Sequence, residues 1–471
     1  MQVVKNYLYN IFYQTFVLIV PLVTTPYLAR VLGPKGVGIN SFTNSVIQYF
    51  ILFGSIGIDL YGNRQIAFVR DNKEKLAKSF YEIFILRIIT IFLSYLTFLF
   101  FLFWANQFKI YYLAQSISII AAAFDISWFF MGVENFAVTV FRNFIIKIIT
   151  IISIFAFVKN YSNLGLYILI LSISLLIGNI TLFPSLHKYI GKINVHRLEI
   201  IHHLKPSLLL FIPQIATQIY LVLNKTMLGL MVSVTAAGYF DQSDKIIKII
   251  LAIVTATGTV MLPHVANAFS RGDYEITRKY LYNSFSFVTA LSIPMALGLM
   301  AIAPKLIPLF LTQRFDKVIP IMVIESLVIW LIAWSNAIGT QYLLPTNQSK
   351  AYSISVIIGS LVNLTINIPL IAWLGASGAA IATVISEAMV TFYQLLVIRK
   401  QIDYKKLFLE MYKYLVSGLF MFIIVYTLNI ELPVNWLMLI VEILVGIICY
   451  LMGLFILKAS LLIKIKKFIE N

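Results

Sequence analysis

The sequence lacks most of the groups on which soluble enzymes depend. Its 471 residues include one cysteine, Cys449, which excludes a disulfide framework and a thiolate metal site. Charged residues make up 12% of the chain, about half the share found in soluble domains. The sequence contains no glycine-rich phosphate loop of the GxxxxGK(S/T) type and no recognisable catalytic constellation. We therefore expect a protein that is not an enzyme, uses no cofactor or metal, and does not hydrolyse ATP.

Hydrophobic residues dominate instead. They are 60% of the chain, and the mean hydropathy is +0.91. Apolar runs of about 20 residues, long enough to cross about 30 Å of hydrocarbon, recur from end to end. The sequence therefore predicts an all-α polytopic membrane protein with about fourteen transmembrane helices. The predicted spans are 7–31, 38–61, 80–104, 111–131, 138–158, 164–186, 206–231, 237–262, 280–303, 318–344, 351–373, 378–398, 411–429 and 436–457.

Basic residues outnumber acidic ones by 36 to 19. Most of the excess lies in alternate loops, among them 62–79, 187–205 and 399–410. This asymmetry follows the positive-inside rule and predicts that both termini are cytoplasmic. The positive charge is then a signal of topology, and we expect no nucleic-acid partner. The basic tail that contains Lys464, Lys466 and Lys467 is expected to contact anionic membrane lipids. Residues 6–30 are too long an apolar stretch for a cleavable signal peptide.

Two halves of the chain resemble each other. Val37–Gly38 aligns with Ala237–Gly238, and the segment 131–135 aligns with 344–348. We therefore predict an N-terminal lobe, a C-terminal lobe and two additional helices with a basic tail, at residues 1–205, 206–400 and 401–471. Two repeats of six helices around a central cavity are typical of transporters, which bind substrate at the repeat interface and alternate by rocking.

The predicted eighth span carries four charges on one helical face. Asp241, Asp244, Lys245 and Lys248 have the spacing i, i+3, i+4, i+7. Charges within a membrane usually face a bundle interior or a water-filled cavity. The alternative is two ion pairs, each internal to the helix, that face a neighbouring helix. In the preceding span, Gln214, Gln218 and Lys225 also share one face.

The first two spans have a related pattern. Asn44, Gln48 and Asp59 belong to a polar stripe along the second span, which indicates either packing between helices or the wall of a cavity. Pro21 and Pro26 are expected to bend or break the first span.

Several isolated polar residues have two interpretations each. Asp125 is either a relay acid or a hydrogen-bonding partner of a neighbouring helix, and Glu387 is a candidate proton-binding acid. Glu82 and Arg87 lie near the start of the third span, where we expect them to extend towards the interface. The histidines all fall in predicted loops without metal-ligand spacing, and we expect them to be solvated. These histidines are His187, His196, His202, His203 and His264.

Several short motifs together resemble one family. They occupy residues 27–38, 57–64, 227–230, 237–239, 342–345 and 375–380. As a set they are similar to the polysaccharide biosynthesis flippases, which transport O-antigen, capsule and exopolysaccharide repeat units. These flippases belong to the multidrug/oligosaccharidyl-lipid/polysaccharide exporter superfamily. The resemblance extends over about residues 1–400, and the chain departs from it at Asn224–Lys225, where members often carry an acid-base pair.

The resemblance implies a fold, a substrate and a set of roles. It implies fourteen helices in two lobes, with a cavity lined mainly by helices 1, 2, 7 and 8. It also implies an undecaprenyl-pyrophosphate-linked oligosaccharide, moved across the bacterial cytoplasmic membrane by alternating access. Candidate cations for the pyrophosphate are Arg30, Arg64, Lys225, Lys245 and Lys248. Candidate groups for the sugar hydroxyls are Asn44, Gln48, Gln214 and Gln218. Asp59, Asp241 and Asp244 are candidates to balance these cations or to carry coupling protons. Asp125 and Glu387 are further candidate coupling acids.

Two other functions remain open from the sequence. A multidrug or cation antiporter of the same superfamily should favour a net acidic cavity, in contrast to the lysines of the seventh and eighth spans. A membrane polysaccharide polymerase or ligase should have longer outer loops than this chain has. For the flippase, the expected partners are the lipid-linked substrate, membrane lipids, and the polymerase and glycosyltransferases of the same pathway.

The orientation can be tested by cysteine labelling. We expect Lys73→Cys in a Cys449→Ala background to be protected from an impermeant thiol reagent in intact cells, because loop 62–79 is predicted to be cytoplasmic. Lys35→Cys, in a predicted outer loop, should react and serves as the control. Labelling at position 73 with protection at position 35 would contradict the predicted orientation.

Overall fold

The computed structural model describes residues 2–191 and 198–460. Within these ranges the chain is helical and has no β-strand. Twelve helices of the described chain are long and apolar enough to cross a membrane, so this is a multi-pass membrane protein. The predicted basic tail and His196 lie outside the described residues. By its internal contacts the chain divides into two compact units, residues 1–229 and 230–471.

Unit 1 contains the first eight α-helices of the described chain and nearly all of the ninth. They are α1 (Gln2–Ser55), α2 (Ile58–Val69), α3 (Lys73–Trp104), α4 (Lys109–Ala123), α5 (Ser127–Gly132), α6 (Phe136–Phe157), α7 (Leu164–Ile180), α8 (Phe183–Leu186) and α9 (Leu204–Met231). Short 3₁₀ turns cover Tyr161–Asn163 and Ile200–His203.

Unit 2 contains the remaining helices. They are α10 (Val234–Ser270), α11 (Tyr274–Phe310), α12 (Val318–Glu325), α13 (Leu327–Ser335), α14 (Ser349–Leu374), α15 (Ala376–Ile398), α16 (Tyr404–Leu407), α17 (Met411–Glu431) and α18 (Trp436–Ile456). A 3₁₀ turn covers Gln313–Phe315, and a π-helical segment covers Asn336–Leu343.

Every predicted span has a helical counterpart in the structure, and the all-α prediction is confirmed. The first of the twelve membrane-crossing stretches, Phe16–Val69, combines two predicted spans. The seventh predicted span corresponds to α9, which is 28 residues long and is not among the twelve. The contacts assign most of α9 to unit 1, whereas the sequence placed it at the start of the C-terminal lobe. The lobe limits therefore remain a proposal.

The first helix is interrupted at a glycine. Pro21 and Pro26 lie inside α1, and the non-helical backbone occurs at Gly33, with φ 64° and ψ 179°. This conformation is essentially restricted to glycine. The prediction that Pro21 and Pro26 bend or break the first span is wrong as to a break, because the interruption lies between them and the second span. A bend at either proline stays a prediction. The predicted loop 62–79 is also shorter than expected, since α2 continues to Val69.

Side-chain caps explain where several helices begin. The Asn72 side chain accepts hydrogen bonds from the backbone at the start of α3, and Asp273 does the same for α11. Ser233 and Asn435 cap α10 and α18. Each of these caps satisfies backbone N–H groups that have no partner within the helix.

Each unit has its own apolar core. In unit 1 the aromatic residues Phe80, Trp128, Phe129 and Phe130 pack together between α3 and α5. In unit 2 the two additional C-terminal helices pack on α11 through a core that includes Tyr414, Met421 and Tyr450. A buried ion pair also joins these helices: Lys305 Nζ of α11 lies 2.5 Å from Glu442 Oε1 of α18.

Candidate functional site

A polar cavity of about 180 Å³ lies within unit 1. It is bordered by the second half of α1, the first turn of α2 and the middle of α9. Its lining consists of Gln48, Ile51, Leu52, Ser55, Asp59, Gln214, Gln218 and Val222. Four of the residues predicted to bind substrate, Gln48, Asp59, Gln214 and Gln218, are therefore brought to one cavity by helices that are distant in sequence.

The break between α1 and α2 shapes one wall of this cavity. Gly57 has φ 77°, and a Cβ atom there would lie 2.7 Å from the backbone oxygen of Ser207 in α9. Only glycine permits this approach of two backbones. The Ser207 hydroxyl also donates to the backbone oxygen of Ile56 at 2.6 Å. The α1–α2 break is therefore fixed against α9, and the first turn of α2 presents Asp59 to the cavity.

Asp59 is paired with a buried arginine. Its Oδ1 lies 2.5 Å from Arg87 Nη1 of α3. The Arg87 side chain is 2% exposed, whereas that of Asp59 is 48% exposed. Arg87 also donates from Nε to the backbone oxygen of Ala122 in α4 at 2.6 Å. One guanidinium thus connects α2, α3 and α4, while the carboxylate that compensates it is open to the cavity.

Asp125 has a local role in the same region. Its Oδ1 accepts from the backbone N and the hydroxyl of Ser127, at 2.9 and 2.6 Å. These bonds form at the gap between α4 and α5. Its charge also attracts the Arg87 guanidinium. The hydrogen bonds of Asp125 are thus to the segment that follows it, and its role as a coupling acid stays a prediction.

A second buried network holds the start of α9. Glu82 of α3, Tyr61 of α2 and His203 are each about 3% exposed. His203 Nε2 lies 2.8 Å from Glu82 Oε2, and its Nδ1 lies 2.6 Å from the Tyr61 hydroxyl. Glu82 Oε1 further accepts from the backbone N of Glu199 at 2.6 Å. These contacts attach the segment before α9 to the helices that carry Asp59 and Arg87.

Two sequence expectations are wrong at this point. Glu82 and Arg87 do not extend to the membrane interface, because each finds a partner inside the unit. The expectation of solvated histidines is wrong for His203, although His187, His202 and His264 are exposed. Nothing in the sequence paired these residues with one another, since their partners come from different helices. The one available signal was the presence of opposite charges in neighbouring apolar spans.

Other predicted site residues of unit 1 lie away from the lining of this cavity. Arg64 is exposed in α2, with its guanidinium carbon 5.9 Å from the centre of the Phe68 ring. Arg30 and Asn44 are exposed on α1, and Lys225 is half-buried on α9. Each keeps its predicted role as a proposal.

The charged residues of unit 2 form the expected pairs on α10. Lys245 Nζ lies 2.6 Å from Asp241 Oδ2, and Lys248 Nζ lies 2.8 Å from Asp244 Oδ2. The lysine side chains are 38% and 48% exposed, while both acids are far more buried. The pairs are internal to the helix and the lysine side chains are partly exposed, so both sequence interpretations stay open. Glu387 is buried in α15.

The polysaccharide biosynthesis protein family matches residues 3–269, more than half of the chain. The chain belongs to this family. A relative in Escherichia coli K12, named "Putative O-antigen transporter", is 25% identical over 404 residues, which is 84% of this chain and 96% of the relative.

Solved structures show the same fold at lower identity. A lipid II flippase, MurJ, in an inward closed conformation has a TM-score of 0.79 at 20% identity, over 97% of this chain and all of that one. An inward-facing multidrug transporter of the MATE family has a TM-score of 0.63 at 13% identity, over 84% of this chain and 94% of that one. The family and its structural relatives thus include transporters and flippases.

The Asp59–Arg87 pair generates a test of stability. Asp59→Asn leaves the buried Arg87 without its carboxylate, which costs up to about 3–5 kcal/mol for a buried pair. We expect a clearly lower unfolding temperature for the purified variant in detergent. Asp71→Asn, the same change at an exposed loop acid, should alter stability by less than about 1 kcal/mol. Equal unfolding temperatures for the two variants would show that the pair is not a structural requirement.

Proposed function

We propose that this protein moves a lipid-linked oligosaccharide from one leaflet of a bacterial cytoplasmic membrane to the other. More specifically, we propose an undecaprenyl-pyrophosphate-linked repeat unit that is used to build a surface polysaccharide. Membership of the polysaccharide biosynthesis protein family supports this proposal. The similarity of the chain to a putative O-antigen transporter and to a lipid II flippase agrees with it.

The observation that carries the proposal is the polar cavity of unit 1. Glutamine amides from α1 and α9 and one carboxylate face a single space within helices that are otherwise apolar. Sugar hydroxyls lose their water when they enter hydrocarbon, and each unpaired polar group then costs several kcal/mol. Gln48, Gln214 and Gln218 offer donors and acceptors that replace this water. A cavity of this kind suits an uncharged, hydroxyl-rich ligand.

The pyrophosphate requires cations. We assign this role to Lys245 and Lys248, whose side chains are partly exposed although each is paired with an acid. Arg87 is less suitable, because it is buried and engaged by both Asp59 and Ala122. Charge-assisted hydrogen bonds to phosphate are about twice as strong as neutral ones. Arg30, Arg64 and Lys225 are further candidates.

We propose that transport proceeds by alternating access between inward-open and outward-open states. Because the sequence has no phosphate loop for binding ATP, we propose that transport is driven by an ion gradient, by the membrane potential or by downstream consumption of the substrate. Asp59, Asp125, Asp241 and Glu387 are the candidate coupling acids. We propose that both termini lie in the cytoplasm, where the glycosyltransferases of the pathway supply the substrate.

Charge in the cavity distinguishes this function from a cation antiporter. Asp59 is the one carboxylate among the lining residues that the structure describes, and Arg87 compensates it. An organic cation would meet no net negative charge here, whereas a neutral glycan requires none. This observation favours the flippase over the antiporter.

Reconstitution into liposomes tests the proposal. The purified protein should move a lipid-linked oligosaccharide to the opposite leaflet without ATP, because no phosphate loop occurs. Gln48→Leu combined with Gln218→Leu should slow this movement about tenfold, since two neutral hydrogen bonds contribute about 1–3 kcal/mol together. Gln107→Leu, in the exposed loop between α3 and α4, should leave the rate unchanged. A strict requirement for ATP, or no movement of the lipid by the wild-type protein, would contradict the proposed function.

A further inference from the structure

A second polar cavity lies in unit 2, at the end of the helices that the sequence predicts to be cytoplasmic. Its volume is about 300 Å³. It is bordered by the end of α10, the start of α11, the segment after the π-helix and the end of α15. We propose that this cavity binds a phosphate-bearing ligand, with Arg278 and Lys400 as the groups that recognise the phosphate.

The walls of the cavity are fixed by hydrogen bonds. Gln348 and Gln401 form a reciprocal amide pair, with N–O distances of 3.0 and 2.8 Å. The Tyr342 hydroxyl donates to Gln401 Oε1 at 3.2 Å. Gln348 Nε2 also donates to the Thr346 hydroxyl at 2.8 Å. Tyr342 and Thr346 are both 5% exposed, so the wall is anchored in the interior of unit 2.

The two cations in the lining are uncompensated. Among the described residues, neither Arg278 nor Lys400 has an acidic side chain within ion-pair distance. Asp273, the acid just before α11, caps that helix by accepting from the backbone N of Ile276 at 3.0 Å, and it is not part of the lining. Two positive charges therefore border one cavity without an internal anion. An arginine and a lysine in this arrangement favour a phosphate group.

The matching segment of unit 1 is neutralised. The sequence pairs 131–135 with 344–348, so Glu134 corresponds to Asn347, and both have left-handed backbone, with φ 57° and 61°. Glu134 Oε1 lies 2.6 Å from Arg70 Nη1, and its hydrogen bond and charge raise the pKa of that guanidinium. Asn347 has no charge with which to do the same. The segment 344–348, which contributes Thr346 and Gln348 to the lining, therefore brings no acid to the cavity.

The source of the phosphate is either a lipid headgroup or a soluble phosphate compound. The cavity is large enough for a phosphate and a small attached group. Phe269 and Tyr274 add an aromatic edge to it, with ring centres 5.7 Å apart. The inference concerns unit 2 alone and does not depend on the proposed transport function.

The test uses the full-length protein and two variants of equal charge. Arg278→Gln with Lys400→Gln removes both cavity cations. Lys279→Gln with Arg399→Gln removes two exposed cations next to them in sequence that do not line the cavity. Retention of phosphatidylglycerol is measured by native mass spectrometry, and binding of inorganic phosphate is measured by calorimetry. Removal of two charge-assisted contacts should weaken binding by about tenfold or more in the cavity variant only.

The two probes separate the sources. Selective loss of phosphatidylglycerol from the cavity variant supports the proposal and identifies a lipid headgroup. Selective loss of inorganic phosphate supports it and identifies a soluble ligand. Failure of the wild-type protein to bind either probe, or equal losses in both variants, would overturn the proposal.

Discussion

Arg87 places a full positive charge inside the membrane-spanning part of unit 1, and the surrounding structure must compensate it. Asp59 supplies the compensating negative charge, and Ala122 supplies a carbonyl oxygen that accepts a hydrogen bond. These two contacts of Arg87 hold α2, α3 and α4 together at one point. A buried guanidinium without these partners would be strongly destabilising. Because the compensating carboxylate is half exposed, the same interaction that stabilises the bundle also places a polar group on the wall of the cavity.

The part of the cavity wall that α9 forms depends on how α9 is attached. Gly57 and Ser207 bring the α1–α2 break against the backbone of α9. The buried contacts of His203 with Glu82 and Tyr61 hold the segment that leads into it. These attachments bring Gln214 and Gln218 to the cavity that Gln48 also lines. Structural polar groups and candidate binding groups are therefore neighbours in unit 1 but have different tasks: the structural ones are buried and paired, and the binding ones face open space.

The sequence predicted the helices well, because apolar runs of about 20 residues have few alternatives to a membrane-spanning helix. It also predicted the polar faces of α1, α9 and α10 from their helical spacing. The sequence did not predict which side chains from different helices pair with each other. The spacing of Arg87 and Glu82 is compatible with an interfacial position as well as with a buried one. The position of the first break was missed as well, since prolines can lie within a membrane helix while Gly33 adopts a conformation essentially restricted to glycine. The two hinge segments were paired by sequence, and the left-handed backbone shared by Glu134 and Asn347 supports that pairing. The ion pair between Glu134 and Arg70 was not predicted, because its partners lie far apart in the chain.

We propose that the cavity of unit 1 holds the glycan of a lipid-linked substrate. A photoreactive benzoyl-phenylalanine in place of Gln218 tests it most directly. Phe92, a residue of α3 that is 59% exposed, provides the control position. After illumination in membranes that contain lipid-linked oligosaccharide, we expect a glycan-bearing adduct at position 218 and not at position 92. Glycan adducts at position 92 alone, or equal yields at both positions, would contradict it.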